Sequence, residues 1–420
     1  MSVRVDQFSF ALDSLQTAFA FLFGYWWIYL PILLFFALTS AYQFYTSLKY
    51  IKAIKWVLFE LKIPQDPGKS PKATEQIFAT LHGTLPPPIR WRDKFFKGKM
   101  VDWISLEIVG IGGEIHFFIR TPEQYKKLVQ SQIYAQYPDS EITEVVDDYV
   151  NLLPQSLPDD KYDLFGAEMI LSKENFYPIR TYPEFEEKSS GPDYVKRIDP
   201  LASLSEVMSS LESGEFLGVQ LLIRPTGDGW VKKGQAEMDK LQGKKPKVPE
   251  SMLSNLVFEI DKLVPGHIET SKDDKKPEQT QLTSGKQEAI KAAEKKMSKI
   301  GYECGIRFMY SGPRETFHRA HISGMVGAFK QFALQTVNSF KLNGPTITAD
   351  KWPFKKNKEY KKKRFLFSKY KNRSLPMIAF ILNTEELATI YHLPDIGVRS
   401  PLLPRVEAKK GEPPVGLPIS

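Results

Sequence analysis

The chain has 420 residues, a formal net charge of +8 and a single cysteine, Cys304. That length holds two or three domains with their own cores. One cysteine excludes an internal disulfide, and the positive balance favours anionic partners such as acidic lipid, nucleic acid or an acidic protein face.

The first element is a run without charge, Ser14 to Leu48, dense in Phe, Tyr, Trp and Leu. A bilayer core takes roughly 20 apolar residues as helix, and lipid leaves no other way to satisfy the backbone of a single segment. The run predicts one membrane span over about 25–45, with Pro31 as a kink. Tyr25, Trp26, Trp27 and Tyr29 at one end, and Tyr42, Tyr45 and Tyr50 at the other, suit interfacial belts. Only Arg4 is basic before the span, whereas Lys49, Lys52, Lys55 and Lys62 follow it, so the positive-inside rule places the C-terminal body in the cytoplasm. A cleaved signal peptide fits less well, because no positive segment precedes the apolar run.

Ile51, Ile54, Val57, Leu58 and Leu61 keep a helical period, which predicts a juxtamembrane helix over 49–61. The stretch 1–62 therefore reads as an anchor and 63–98 as a Pro-rich connector, with a short helix at 74–80. A first α+β region follows over 99–241. It opens with a hairpin, strands 101–109 and 114–120, then a helix over 122–137 with Thr121 as its cap, and a strand over 141–146. Hairpin, helix and strand begin a ferredoxin-like α/β sandwich. Strands over 164–171 and 218–224 and helices over 200–211 and 230–241 continue the pattern.

Residues 242–286 read as a polar, flexible linker with one amphipathic stretch at 252–263. A second α+β region covers 287–392: a helix over 287–300, a strand over 304–310, a long helix from Pro313 to Phe340, a strand over 377–382 and a helix over 384–391. Arg120-Thr121-Pro122, Ile223-Arg224-Pro225 and the strand ending before Pro313 suggest repetition, although strand-to-helix turns favour proline in any case. A Pro-rich tail, 393–420, closes the chain. The expected fold class is α+β: one transmembrane helix followed by cytosolic ferredoxin-like units.

The strongest charge signal is Lys351 to Arg373, eleven basic residues against one acid, Glu359. Lys355, Lys356, Lys358, Lys361, Lys362, Lys363 and Arg364 are its candidate contacts to DNA or anionic lipid, interleaved with Tyr360, Phe365, Phe367 and Tyr370. A solvated basic loop with its aromatics turned inward fits the same residues. His318 and His321 stand three apart on a predicted helix but lack a third ligand nearby. Gly68-Lys69-Ser70 ends like a phosphate loop, yet Ile63 takes the first glycine position and Pro67 removes an amide. No catalytic, cofactor-binding or metal set emerges, and the chain is expected not to be an enzyme.

Two stretches carry a resemblance. One is Gly113-Glu114-Ile115-His116-Phe117-Phe118-Ile119-Arg120-Thr121-Pro122 with Gln132-Ile133-Tyr134-Ala135-Gln136-Tyr137-Pro138-Asp139 and Glu141-Ile142. The other is Tyr391-His392-Leu393-Pro394 with Pro401, Arg405-Val406 and Glu412-Pro413-Pro414. Together they resemble the membrane-anchored N-terminal region of bacterial type IV secretion and conjugative DNA-transfer ATPases of the FtsK/HerA type. The resemblance implies a non-catalytic membrane module that positions a motor ATPase carried on a separate chain, with the cytoplasmic membrane, that motor, copies of itself and DNA as partners. The family's Walker motifs match nothing here, so no active-site residue carries over and no cofactor is expected. The alternative is a membrane-tethered nucleic-acid-binding protein acting without a motor.

Overall fold

The computed structural model describes residues 24–62, 69–188, 195–242, 283–334, 336–349 and 355–394. The stretch 252–263, most of the linker and the tail beyond Pro394 lie outside them. The chain forms two compact units. One takes in the residues up to Lys55 with Pro86–Val101, the other Trp56–Leu85 with Asp102 onward.

The first unit is built on α1, Trp26–Ala53, with Pro31 inside it. This helix is long and apolar enough to cross a membrane, and none of its most apolar window is buried. A short helix, α3 (Trp91–Lys97), belongs to the same unit.

The second unit begins with a correction. The predicted helix over 49–61 stops at Ala53, and β1, Trp56–Lys62, is a strand. Val57, Leu58 and Phe59 are all buried, because β1 lies inside a sheet with side chains covered on both faces. A short apolar run of that kind fits either period, and pairing with two neighbours decides it.

From β1 the chain runs through α2 (Lys72–Leu81), β2 (Ile104–Ile111), β3 (Glu114–Pro122), α4 (Lys126–Gln136) and β4 (Glu141–Glu144). These strands pair antiparallel in the order β4-β1-β3-β2. Then come β5 (Tyr162–Leu171), a two-stranded ribbon of β6 (Glu186–Lys188) and β7 (Val195–Arg197), α5 (Ala202–Ser209) and β8 (Phe216–Pro225). After α6 (Gly229–Leu241) and α7 (Ser284–Met297) follow β9 (Gly301–Pro313), α8 (Arg319–Lys330) and β10 (Phe340–Leu342). This second set pairs as β10-β5-β9-β8. Both runs are therefore β-α-β-β-α-β with one strand order, joined edge to edge through β2 and β8 into one sheet. The tight β2–β3 turn of the first run is replaced in the second by α6, α7 and the residues between them. Pro122 and Pro313 end equivalent strands, whereas Pro225 closes a strand of the other type.

Three further expectations change. Thr121 does not cap α4: Pro122 is still strand, and the helix starts after Tyr125. The long helix expected up to Phe340 ends at Lys330, and Phe340 opens β10. The basic run, for which a solvated loop was one of the open readings, is the helix α9, Lys355–Lys371, which leads to β11 (Phe380–Asn383) and α10 (Thr384–Ile390). β11 pairs with the first residues of β9.

The sheet's two faces are covered differently. Leu106, Ile108, Phe117, Ile119, Val219, Leu221, Ile306 and Phe308 form one face with buried residues of α2, α4, α5, α8 and α10. On the other, Leu58, Val109, Phe118, Phe216 and Met309 meet Tyr149, Leu157, Leu366, Phe367 and Tyr370. Helix α9 covers part of this second face.

Candidate functional site: a basic helix on a buried polar row

A row of charged and amide side chains crosses the second face beneath α9. Register pairs Glu168 with Arg307, Arg307 with Gln220, and Gln220 with Glu107. All four are at most 1% exposed. Buried charges persist only when paired and hydrogen-bonded, and each ion of the row has an opposite partner, while Arg307 Nε and Gln220 Oε1 are left without a hydrogen bond. Arg307 Nη2 stands 2.6 Å from Glu168 Oε1. Arg373 donates from Nε to Glu107 Oε1 at 2.8 Å and from Nη2 to Glu107 Oε2 at 3.0 Å. It also holds Asp148, with Nη2 donating to Oδ1 at 2.9 Å. Burial works against the Arg373 charge, but Glu107, Tyr149 and Asp148 outweigh it and raise its pKa above the ordinary arginine range. Tyr149 donates to Glu107 at 2.5 Å, and burial followed by that carboxylate pushes the phenol up.

The row has a mechanical role that the bonds make explicit. Arg307 Nη1 donates to the carbonyl of Lys369 at 3.1 Å and Nη2 to that of Ser374 at 3.0 Å. Gln220 Nε2 donates to the carbonyl of Tyr370 at 3.0 Å. The carbonyls of Lys369 and Tyr370 lie in the last turn of α9, where four lack intrahelical donors and the macrodipole favours a cation. Close approach is possible because β8 has Gly218 below Tyr370: a Cβ there would fall 1.9 Å from the phenol oxygen. Lys363 adds a pair to Asp163 at 2.6 Å.

Leu366, Phe367 and Tyr370 thus turn toward the sheet, and the opposite side of α9 is basic. Lys356, Lys358, Lys361 and Arg364 are exposed, while Lys362 and Lys363 are half-buried. The side chain of Lys355 lies outside the description. Of the interleaved aromatics, Phe367 and Tyr370 are core residues; Tyr360 and Phe365 remain exposed, each under a cation, Arg364 at 5.8 Å and Lys369 at 5.2 Å. The structure therefore gathers the sequence-picked contacts on one helix and separates them by role. Missed from sequence were Glu107, Glu168, Gln220, Arg307 and Arg373 as a unit; the first four were signalled only by polar groups inside otherwise apolar strands, and Arg373 stood only as the last cation of the basic run.

The other candidates resolve simply. His318 takes the N-cap position of α8 and His321 lies in its first turn, and their rings meet edge to face with centroids 6.2 Å apart. His321 Nε2 is 3.5 Å from Glu215, and no group of three or more metal-ligating side chains occurs among the described residues. Cys304 is buried, and burial pushes its thiol well up. Lys69 donates to the Gln136 carbonyl, and Gly68 lies outside the described residues.

This chain belongs to the family described as "Domain of unknown function (DUF8128)", whose model matches residues 64–402. No curated protein matches it. Among solved structures, a variant of berberine bridge enzyme, described as a reticuline dehydrogenase, matches over 67% of this chain and 42% of its own length, at 7% identity and a TM-score of 0.21. The chain thus spans less than half of that enzyme, and a likeness so distant carries no argument about fold or activity.

Proposed function

We propose that this protein is a non-catalytic, membrane-anchored module of a type IV secretion or conjugative DNA-transfer system. In this reading α1 spans the cytoplasmic membrane and the C-terminal body lies in the cytoplasm. The body positions a motor ATPase carried on a separate chain and offers α9 to the DNA being moved. Each β-α-β-β-α-β run is read as a ferredoxin-like unit, on the strength of its strand order. The carrying observation is α9 itself: nine basic residues against one acid, on a helix fastened to the sheet by its apolar side and C-terminal end. Like charges repel along such a helix. A rigid basic ridge of this kind suits a phosphate backbone, which is bound largely by counterion release.

The test uses the full chain in nanodiscs and duplex DNA, with affinity measured against salt. Neutralising Lys356, Lys358, Lys361 and Arg364 to Gln is expected to flatten the salt slope by ~0.9 for each phosphate no longer neutralised, with the melting temperature unchanged. Duplex affinity that ignores these four changes would overturn the DNA contact. ATP turnover by the pure chain, abolished by changing one of its own residues, would overturn the non-catalytic reading. Capture of a Walker-A-bearing chain by the module would favour a motor in trans over a tethered DNA binder acting alone. Digestion of the body by protease added to right-side-out cells would overturn its orientation.

A further inference from the structure

Helix α3 lies in the same unit as α1, and its packing fixes its level along that helix. The rings of Tyr42 and Phe95 meet at a tilt of 39° with centroids 5.4 Å apart. Thr46 Oγ1 donates to the carbonyl of Phe95 at 3.3 Å. Gly98 ends α3 at φ 63°, and a Cβ there would fall 2.2 Å from the Thr46 carbonyl carbon, so only glycine permits this approach. From Trp26 to Thr46, α1 rises about 30 Å, the thickness of a hydrocarbon core. A span that begins at Trp26 therefore leaves the core about where α3 crosses it.

The side of α3 not turned to α1 carries exposed aromatic rings. Trp91 is 67% exposed and Phe96 57%. Their rings lie 6.3 Å apart, and Arg92 sits 5.7 Å over the Trp91 ring. Around them are Arg90, Arg92, Lys94, Lys97 and Lys99 against one acid, Asp93, which Lys97 already pairs at 2.8 Å. Exposed Trp and Phe among cations are the composition of a helix lying in the headgroup layer, where rings enter the acyl boundary and ammonium and guanidinium groups meet lipid phosphate.

We infer that α3 is a second membrane contact: an interfacial helix that seats Trp91 and Phe96 in an anionic lipid surface beside the exit of α1. This rests on the reading of α1 as a membrane span. The partner is a bilayer rather than a protein because the surface is continuous with the apolar surface of α1. It gives this unit two contacts with the bilayer in place of one.

The test places p-benzoylphenylalanine at one position at a time in the full chain: at Phe96, at Trp91, at Leu34 within α1, and at Leu152 as an exposed control on the other unit. The chains are reconstituted in phosphatidylcholine vesicles containing phosphatidylglycerol, irradiated, and scored for lipid adducts by mass spectrometry. Positions 96 and 91 are expected to give adducts at least about ten-fold above position 152. Changing Arg90, Arg92, Lys94 and Lys99 to Gln should cut the preference for phosphatidylglycerol at least about five-fold. Adducts at 34 with none at 96 or 91 would overturn the interfacial helix and leave the span standing. No adduct at 34 would overturn the span and, with it, this inference. Equal capture of both lipids by the native and neutralised chains would overturn the anionic preference.

Discussion

On the face under α2, α4, α5, α8 and α10 the central strands offer Leu106, Phe117, Val219 and Ile306. On the face under α9 their neighbours offer Glu107, Phe118, Gln220 and Arg307. The first face is closed by apolar area, which is non-directional and tolerates adjustment. The second is closed by a smaller apolar cluster and, beside it, by Arg307 and Gln220, which donate to particular carbonyls at the end of one helix and fix that helix in place. A helix carrying so many like charges gains little from its own sequence. Its position is specified from below, and Lys356, Lys358 and Lys361 stay exposed on its outer side.

The largest effect is expected where a charge enters the wrong face. Phe117→Asp puts an unpaired carboxylate among Ile115, Ile119 and Tyr391. The cost approaches the roughly 5–15 kcal/mol that holds a domain together, so circular dichroism should show the body unfolded. An unchanged melting curve would remove Phe117 from the core.

On the ionic face, Arg373→Ala leaves Glu107 and Asp148 without their cation. A broken buried pair costs about 3–5 kcal/mol, read as a shift of the urea midpoint at constant slope. A loss under about 1 kcal/mol would show the pair to be as weak as a surface one.

The third prediction sharpens what the row is for. Arg307→Met or Glu168→Leu alone should cost about 3–5 kcal/mol, whereas the pair replaced together should come close to neutral if it serves only itself. Arg307 also caps α9, so a double variant as unstable as Arg307→Met alone would assign the cost to the helix end. In that case hydrogen exchange should rise at Lys369 to Arg373 before it rises in β9.

Much of the first run was legible because its hairpin is local: the strands Ile104–Ile111 and Glu114–Pro122 are joined by a two-glycine turn, and their periods agree with it. β1 was misread because Val57, Leu58 and Phe59 form an apolar run that covers both sides of the strand and follows a segment of helical period. The ionic face was not legible at all. Arg373 meets Glu107 across 266 positions of sequence, and nothing local in either residue names the other. The candidate site was half legible. Its basic run stood out by count, but the division between Lys363, paired with Asp163, and Lys361, exposed, depends on which side of α9 faces the sheet. The shared strand order of the two runs was equally hidden, since the residues between β8 and β9 mask the second hairpin.

The smallest effect lies at the margin of the ionic face, where β1 and β3 carry Glu60 and His116. His116 Nδ1 stands 2.7 Å from Glu60 Oε1, and that hydrogen bond is the main reason the carboxyl is held below its usual range. A lowered folded pKa means that ionised Glu60 stabilises the fold. Its contribution is full above the ordinary carboxylate range and is lost as pH falls through the lowered value. Glu60→Gln mimics the protonated acid at every pH. The melting temperature of the native chain should therefore exceed that of the variant near pH 6, and the two should converge towards about pH 3. The pair is part-exposed and screened, so the difference should stay under about 1 kcal/mol and shrink with added salt. The Arg373 pair, sealed beneath α9, should keep its strength in the same salt series. Equal salt sensitivity at the two sites would mean that water reaches Glu107, and that the helix above it opens.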